Sequence, residues 1–301
     1  MTASMIPGFV RHDIDVNGPR LSVHLGGEGP PLLLLHGYPQ THATWQRIAP
    51  ALAARFSCVI PDLPGYGDSA APADDPDAAA PPMSKRAIAG RMLALMAGLG
   101  HDRFHVLGHD RGARVAYRLA LDAPQAVARL GIIEVIPTGE MWRAYDADMA
   151  LKSYHWTFLA QPAPLPERMI GADPEGYVDW TLRSWTQAGD LSAFAPEALA
   201  SYRAQACDPA RIHAMCEDYR AGAGFDRALD DADRAAGRTI AAPVHFVWSE
   251  GGFPARTGDP MGLWRAWAPR LTGGSVPAGH FAQEEAPDAV LAAYLPFFTE
   301  G

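Results

Sequence analysis

The sequence predicts an α/β fold in which a mostly parallel central sheet, covered on both faces, carries an inserted helical cap. Three observations point there. Short apolar runs of strand composition alternate with helical segments along most of the chain, the rhythm of parallel strands joined by crossovers. That rhythm breaks between residues 137 and 240, where helical stretches rich in aromatics, Trp142, Tyr154, Trp156 and Tyr219 among them, run on without a convincing strand. Finally, a strand meets a helix at Gly108-His109-Asp110-Arg111-Gly112, a tight turn that presents an aspartate between small residues.

The elements follow in order. Residues 9–26 read as a hairpin turning at Asn17-Gly18. Residues 31–35 form a buried apolar strand that ends in His36-Gly37-Tyr38-Pro39, and residues 57–60 form the next. Residues 85–99 have helical spacing. The strand at 104–107 leads into the aspartate turn, and a helix over 113–121 leaves it. Residues 130–136 are a further apolar strand, the sixth. After the cap, strands at 244–248 and 275–277 and a closing helix at 288–298 complete the sheet and its cover. The organisation is therefore a core of residues 1–136 and 241–301, interrupted by a cap of residues 137–240. Such a cap encloses the C-terminal edge of a parallel sheet, where these folds bind ligands.

Composition narrows the function. At 301 residues, 48% hydrophobic and 20% charged, the chain suits one large globular unit. A net charge of −9 argues against a nucleic-acid surface and requires a local basic patch if the substrate is an anion. Cys58, Cys207 and Cys216 have neither metal-binding nor CxxC spacing, as free thiols in a reducing compartment would. Neither a signal-peptide pattern nor a run of ~20 apolar residues is present, so a cytoplasmic protein is expected, with no membrane partner.

The aspartate decides the chemistry. Gly108 and Gly112 let the turn close, and the helix that follows favours negative charge at its start. A serine that attacked a saturated carbon would leave an ether. A carboxylate leaves an ester, which water can cleave. Asp110 therefore points to displacement at an sp³ carbon followed by hydrolysis. His280 follows the last strand, in the order expected of a base that comes after its nucleophile. For the supporting acid, Glu134 and Glu250 both end strands; Glu134 is favoured, because a carboxylate amid apolar neighbours needs a partner. Arg111 and Arg114 share the first turn of one helix, where cations oppose the dipole. Guanidinium forks suit a carboxylate ligand, a structural ion pair being the alternative. Arg118, one turn on, fits a structural pair better. The backbone N–H groups of Tyr38 and Arg111 are placed to hold an oxyanion.

These residues together resemble the fluoroacetate dehalogenases, a branch of the α/β-hydrolase superfamily. The resemblance runs from about residue 26 to residue 298 and rests on His36-Gly37-Tyr38-Pro39-Gln40-Thr41-His42, Gly108-His109-Asp110-Arg111-Gly112-Ala113-Arg114, Tyr154-His155-Trp156, Ser184-Trp185-Thr186 and Cys216-Glu217-Asp218-Tyr219-Arg220-Ala221-Gly222. It implies the α/β-hydrolase fold, with Asp110 as nucleophile, His280 as base and Arg111 and Arg114 as a carboxylate clamp. His155, Trp156 and Tyr219 would form a halide pocket, and a homodimer is what the family suggests. The family carries aspartate at the triad-acid position, where this chain has Glu134. The expectation is a cofactor-independent dehalogenase, without a metal, that converts fluoroacetate or another small 2-haloacid to the hydroxyacid and halide. An epoxide hydrolase using Tyr154 and Tyr219 is the alternative enzyme, although a neutral epoxide gives no reason for two buried cations. A catalytically silent ligand-binding member of the fold is the alternative outside enzymes.

Overall fold

Alternation of side chains about the strands builds a sheet with two buried faces. The computed structural model describes residues 2–73 and 78–299. Nine strands, β1 (Thr2–Ala3), β2 (Val10–Asp15), β3 (Arg20–Gly26), β4 (Pro31–Leu35), β5 (Ser57–Pro61), β6 (Phe104–His109), β7 (Val127–Ile133), β8 (Val244–Ser249) and β9 (Leu271–Val276), lie in the order β1-β2-β3-β5-β4-β6-β7-β8-β9. The first three pair antiparallel and the six from β5 to β9 pair parallel. Leu33, Leu35, Val106, Ile132 and Phe246 face one apolar cluster, while Leu32, Leu34, Leu107, Ile133 and Val247 face the other. That period of two is the pleat made visible.

Helices α1 (Ala49–Ala53), α2 (Lys85–Gly98) and α3 (Arg111–Asp122) join the first parallel strands. Eleven of the twelve residues of α3 are buried, since the sheet, α2 and the cap cover it on all sides. Between β7 and β8 the described elements are all helical: α4 (Thr138–Arg143), α5 (Ala147–Lys152), α6 (His155–Leu159), α7 (Leu165–Gly171), α8 (Pro174–Trp185), α9 (Pro196–Ala206), α10 (Pro209–Ala221) and α11 (Arg227–Ala235). A π-helical turn, Gly222–Asp226, connects the last two without a break. Helices α12 (Pro260–Arg265), α13 (Ala282–Glu285) and α14 (Pro287–Thr299) follow β8 and β9. No described helix is long and apolar enough to cross a membrane.

Three expected boundaries shift. The strand expected at 130–136 is Val127–Ile133, because the backbone turns left-handed at Glu134 (φ +64°) and cannot continue the ladder. The last strand is Leu271–Val276 where residues 275–277 were expected, and the helix after Asp110 starts two residues earlier than its apolar pattern, at Arg111. The chain steps from β4 to β5 on one side and to β6 on the other. The ends of β4 and β6 therefore flank the crevice where the strand order reverses.

Candidate active site

Asp110 sits in that crevice on a strained turn. Its φ of +47° is rare for a residue with a side chain, and it is held because β6 and α3 fix both flanks. A Cβ on Gly112 would collide with the carbonyl oxygens of Leu35 and His36, and one on Gly108 would reach the Ala113 backbone. Only glycines let the turn approach this closely. Across the crevice, the Tyr38 N–H donates to Asp110 Oδ1 at 2.9 Å. Burial works against the ionised carboxylate, but the electrostatic pull of the imidazoles and guanidinium groups around it, Arg111 and Arg114 among them, outweighs it and holds the group below the usual carboxylate range.

His280 stands between two carboxylates. Its Nε2 is 3.9 Å from Asp110 Oδ2 and its Nδ1 is 3.9 Å from Glu134 Oε1. Its backbone is fixed on both sides, since its N–H donates to the Trp185 carbonyl at 2.8 Å and its carbonyl accepts from His109 Nε2 at 2.8 Å. Burial pushes the His109 imidazole down to about 3, so the ring is neutral, and an acceptor-only partner fixes its proton on Nε2. The rings of Trp185 and Phe253 stand edge-on to His280, each at 5.4 Å.

Glu134 is buried and accepts from the backbone N–H groups of Ser249 at 2.6 Å and Phe253 at 3.1 Å. Burial pushes its carboxyl up, opposed by the nearby His280 imidazole and by the hydrogen bond from Ser249. Glu250 is exposed and accepts from Ser275 Oγ at 3.3 Å. Of the two carboxylates, Glu134 is the one beside His280.

The arginines divide their donors. Arg111 meets a structural carboxylate from the cap, donating from Nε to Asp218 Oδ2 (2.9 Å) and from Nη2 to Asp218 Oδ1 (2.8 Å) and the Asp218 carbonyl (2.7 Å). The ion pair given as the alternative for Arg111 therefore exists, while Nη1 is buried without a partner. Arg114 donates from Nη1 to the Ile136 carbonyl and Thr138 Oγ1, both at 3.0 Å, and its Nε is likewise unpartnered. Arg118 pairs with Asp230 (2.9 Å) and Asp233 (2.6 Å), a structural clamp.

The cap closes over this floor. The Arg111 guanidinium lies 4.2 Å from the Tyr219 ring centroid and that of Arg114 4.6 Å from the Trp156 ring. His155 and Tyr219 stand edge to face at 5.5 Å, with His155 Nδ1 and Tyr219 Oη buried and unpartnered. Burial holds His155 well below its ordinary value and Tyr219 well above its own, so the imidazole is uncharged and the phenol keeps its proton. A cavity of about 10 Å³ lies between Asp110, Arg114, His155, Trp156 and His280. Tyr154 is half-buried and stacks edge-on to His155. The partners that sequence reasoning missed are Asp218, His109 and Phe253. Asp218 lies inside a motif already singled out, but nothing local shows what it faces.

One group of possible metal ligands occurs among the described residues: His24, His42 and Asp62, with ligand atoms within 4.8 Å of one another. His42 and Asp62 are already hydrogen bonded at 2.8 Å, and the His24 and His42 rings stack with centroids 3.6 Å apart and planes 19° apart. None of the three lines the Asp110 cavity.

Residues 30–287 match the family model described as the alpha/beta hydrolase fold. A fluoroacetate dehalogenase from Burkholderia sp is 43% identical over 94% of this chain and 92% of its own. A soluble epoxide hydrolase from Corynebacterium sp. (strain C12) is 32% identical over 96% and 97%. Among solved structures, an alpha/beta hydrolase-fold protein from Nostoc sp PCC 7120 superposes with a TM-score of 0.93 at 45% identity, covering 99% of this chain and 100% of that one.

Proposed function

Because the chain belongs to the fluoroacetate dehalogenase family of the α/β-hydrolase fold, we propose that it hydrolyses the carbon–halogen bond of fluoroacetate or a similarly small 2-haloacid through an ester on Asp110. One observation carries the choice of substrate. Arg111 Nη1 and Arg114 Nε, on the first turn of the helix that Asp110 begins, are both buried with no partner, and an unmade hydrogen bond from a buried cation is costly. A substrate carboxylate has an oxygen for each and a charge that offsets theirs; a neutral epoxide has a single oxygen and no charge to offset two buried cations.

The geometry supports the following sequence. Asp110 Oδ2, free of the Tyr38 bond, attacks Cα in line. The carbon–halogen bond breaks, and the halide leaves with its electron pair toward His155, Trp156 and Tyr219. Fluoride is a poor leaving group and a strong acceptor, so donors in a dry pocket stabilise its developing charge. His280 Nε2 then takes a proton from water as the water oxygen attacks the Asp110 carbonyl carbon. The charge gathers on Oδ1, where the Tyr38 N–H already points, and Glu134 supports the imidazolium. Collapse frees the hydroxyacid, whose oxygen takes that proton back, and leaves Asp110 as the acid, which releases its remaining proton to solvent and returns to the carboxylate.

The epoxide-hydrolase reading has one feature in its favour, the unpartnered Tyr219 Oη, which could protonate an epoxide oxygen. Fluoro-, chloro- and bromoacetate assayed by ion chromatography, beside styrene oxide, decide between them. Halide release from the acids is expected. Diol from the epoxide with no halide from any acid would replace this reading with the other.

A further inference from the structure

Two buried cations begin two different helices and converge on one carboxylate. Lys85 is the first residue of α2 and Arg111 the first of α3. Each stands where the helix dipole disfavours positive charge, and each is buried, at 2% and 1% exposure. Both bind Asp218 of α10: the Lys85 ammonium meets Oδ1, and the Arg111 fork takes both oxygens and the carbonyl. Tyr66 Oη donates to Asp218 Oδ2 at 2.8 Å. Asp226 accepts from the Lys85 backbone N–H at 2.9 Å.

We propose that Asp218 and Lys85 are positioning residues for an acid subsite: Asp218 fixes the Arg111 fork so that Nη1 alone is left for a carboxylate, and Lys85 supplies the charge that stops Asp218 from cancelling Arg111. This rests on the carboxylate-binding reading of the arginines given above. Charge counting supports it. By formal charge Arg111, Arg114 and Lys85 match Asp110, Asp218 and Asp226 among the buried residues around the arginines, and an anionic acid adds one negative charge to them; burial and the two arginines disfavour the Lys85 charge, which its contact with Asp218 favours. Without Lys85 the same acid would bring a second uncompensated negative charge into a site shielded from water, where such charges are weakly screened. A bare Arg111–Asp218 pair would offer the substrate a geometry with little net field. The lysine restores the field without touching the ligand.

The two residues should then fail in opposite ways. In Lys85→Gln, inhibition by acetate is expected to weaken about tenfold or more, inhibition by acetamide to stay unchanged, and kcat on a haloacetate to fall less than kcat/KM. In Asp218→Asn, acetate affinity is expected to hold or rise while kcat falls, because the fork loses its fixed edge. Lys85→Arg, which keeps the charge, should preserve the acetate preference and guards against a folding defect in the first variant. Equal weakening of acetate and acetamide in Lys85→Gln, or parallel losses in both variants, would reduce the cluster to a cap anchor and overturn the proposal. If the unaltered protein binds acetate no better than acetamide, the carboxylate reading itself fails, and this proposal with it.

Discussion

His280 Nε2 and Asp110 Oδ2 face each other across 3.9 Å, beyond hydrogen-bonding distance. His280 therefore does not occupy the oxygen proposed to attack carbon. Asp110 Oδ1 is held by the Tyr38 N–H while Oδ2 is free, so on the proposed ester route the first chemical step needs nothing from the imidazole and the second depends on it.

His280→Asn is accordingly expected to release about one equivalent of halide per site and then stop. A mass increase should appear on the peptide containing Asp110. In heavy-oxygen water, a single turnover of the unaltered protein should label Asp110 and leave the first hydroxyacid unlabelled. Label in that first product, with no adduct in the variant, would make Asp110 a general base and remove the ester from the mechanism.

Glu134→Gln should lower kcat by about 10²–10⁴-fold, the scale seen when a triad acid loses its charge. Glu250→Gln, altered at an exposed side chain, should stay within about twofold. Circular dichroism and Tm of both variants check that folding is retained. The reverse ranking would reassign the acid to the end of β8.

Tyr219→Phe removes a donor from the proposed halide pocket at nearly constant volume, and Trp156→Phe removes one together with part of the ring. A hydrogen bond to a charged group contributes about 1.5–3 kcal/mol, so defluorination should slow by roughly ten- to a hundredfold while debromination slows much less. The comparison is kcat on fluoroacetate against bromoacetate. Equal losses on both would show that these rings only pack the cap.

Glu284 gives the fold a pH dependence of its own. It is buried between Gln40, Thr44 and Tyr202, which donate to it, and burial pushes its carboxyl from 4.5 up to about 8. The folded chain therefore holds a proton that the unfolded chain releases above 4.5. Stability from this group is full below 4.5 and is lost as pH rises toward about 8, at up to about 1.4 kcal/mol per pH unit. Denaturant unfolding at pH 5, 6.5 and 8 should show that decline, and Glu284→Gln should flatten it. An unchanged slope in the variant would assign the effect to another group.

How legible each part was depended on whether its signal is local. The aspartate turn, the His280 loop and the Tyr38 loop are short motifs whose glycines and order carry their geometry. The alternation of β4, β6, β7 and β8 between two faces was readable from apolar runs alone. The end of β7 was not, because residues 132–136 remain apolar around Glu134 while the backbone leaves the β region there, and periodicity carries no information on φ. Arg111 was legible as a cation out of place, but its partner lies 107 positions away on the cap. Lys85 carries the same sign, a cation at a helix start, and only the folded chain shows that both answer to Asp218.

The π-helical turn at Gly222–Asp226 sets an angular phase for everything after it. Asp218 precedes the turn and meets Arg111; Asp230 and Asp233 follow it and meet Arg118, two turns further along α3. One residue of helix is about 100° of rotation. Removing any one residue from the turn would swing the second pair of carboxylates away from Arg118, while a side chain added at Gly224 would meet nothing within 4 Å. The turn can thus change at Gly224 but not in length: Gly224→Ala should leave Tm unchanged or raise it, and deletion of Ala223 should cost the chain its buried ionic clamp.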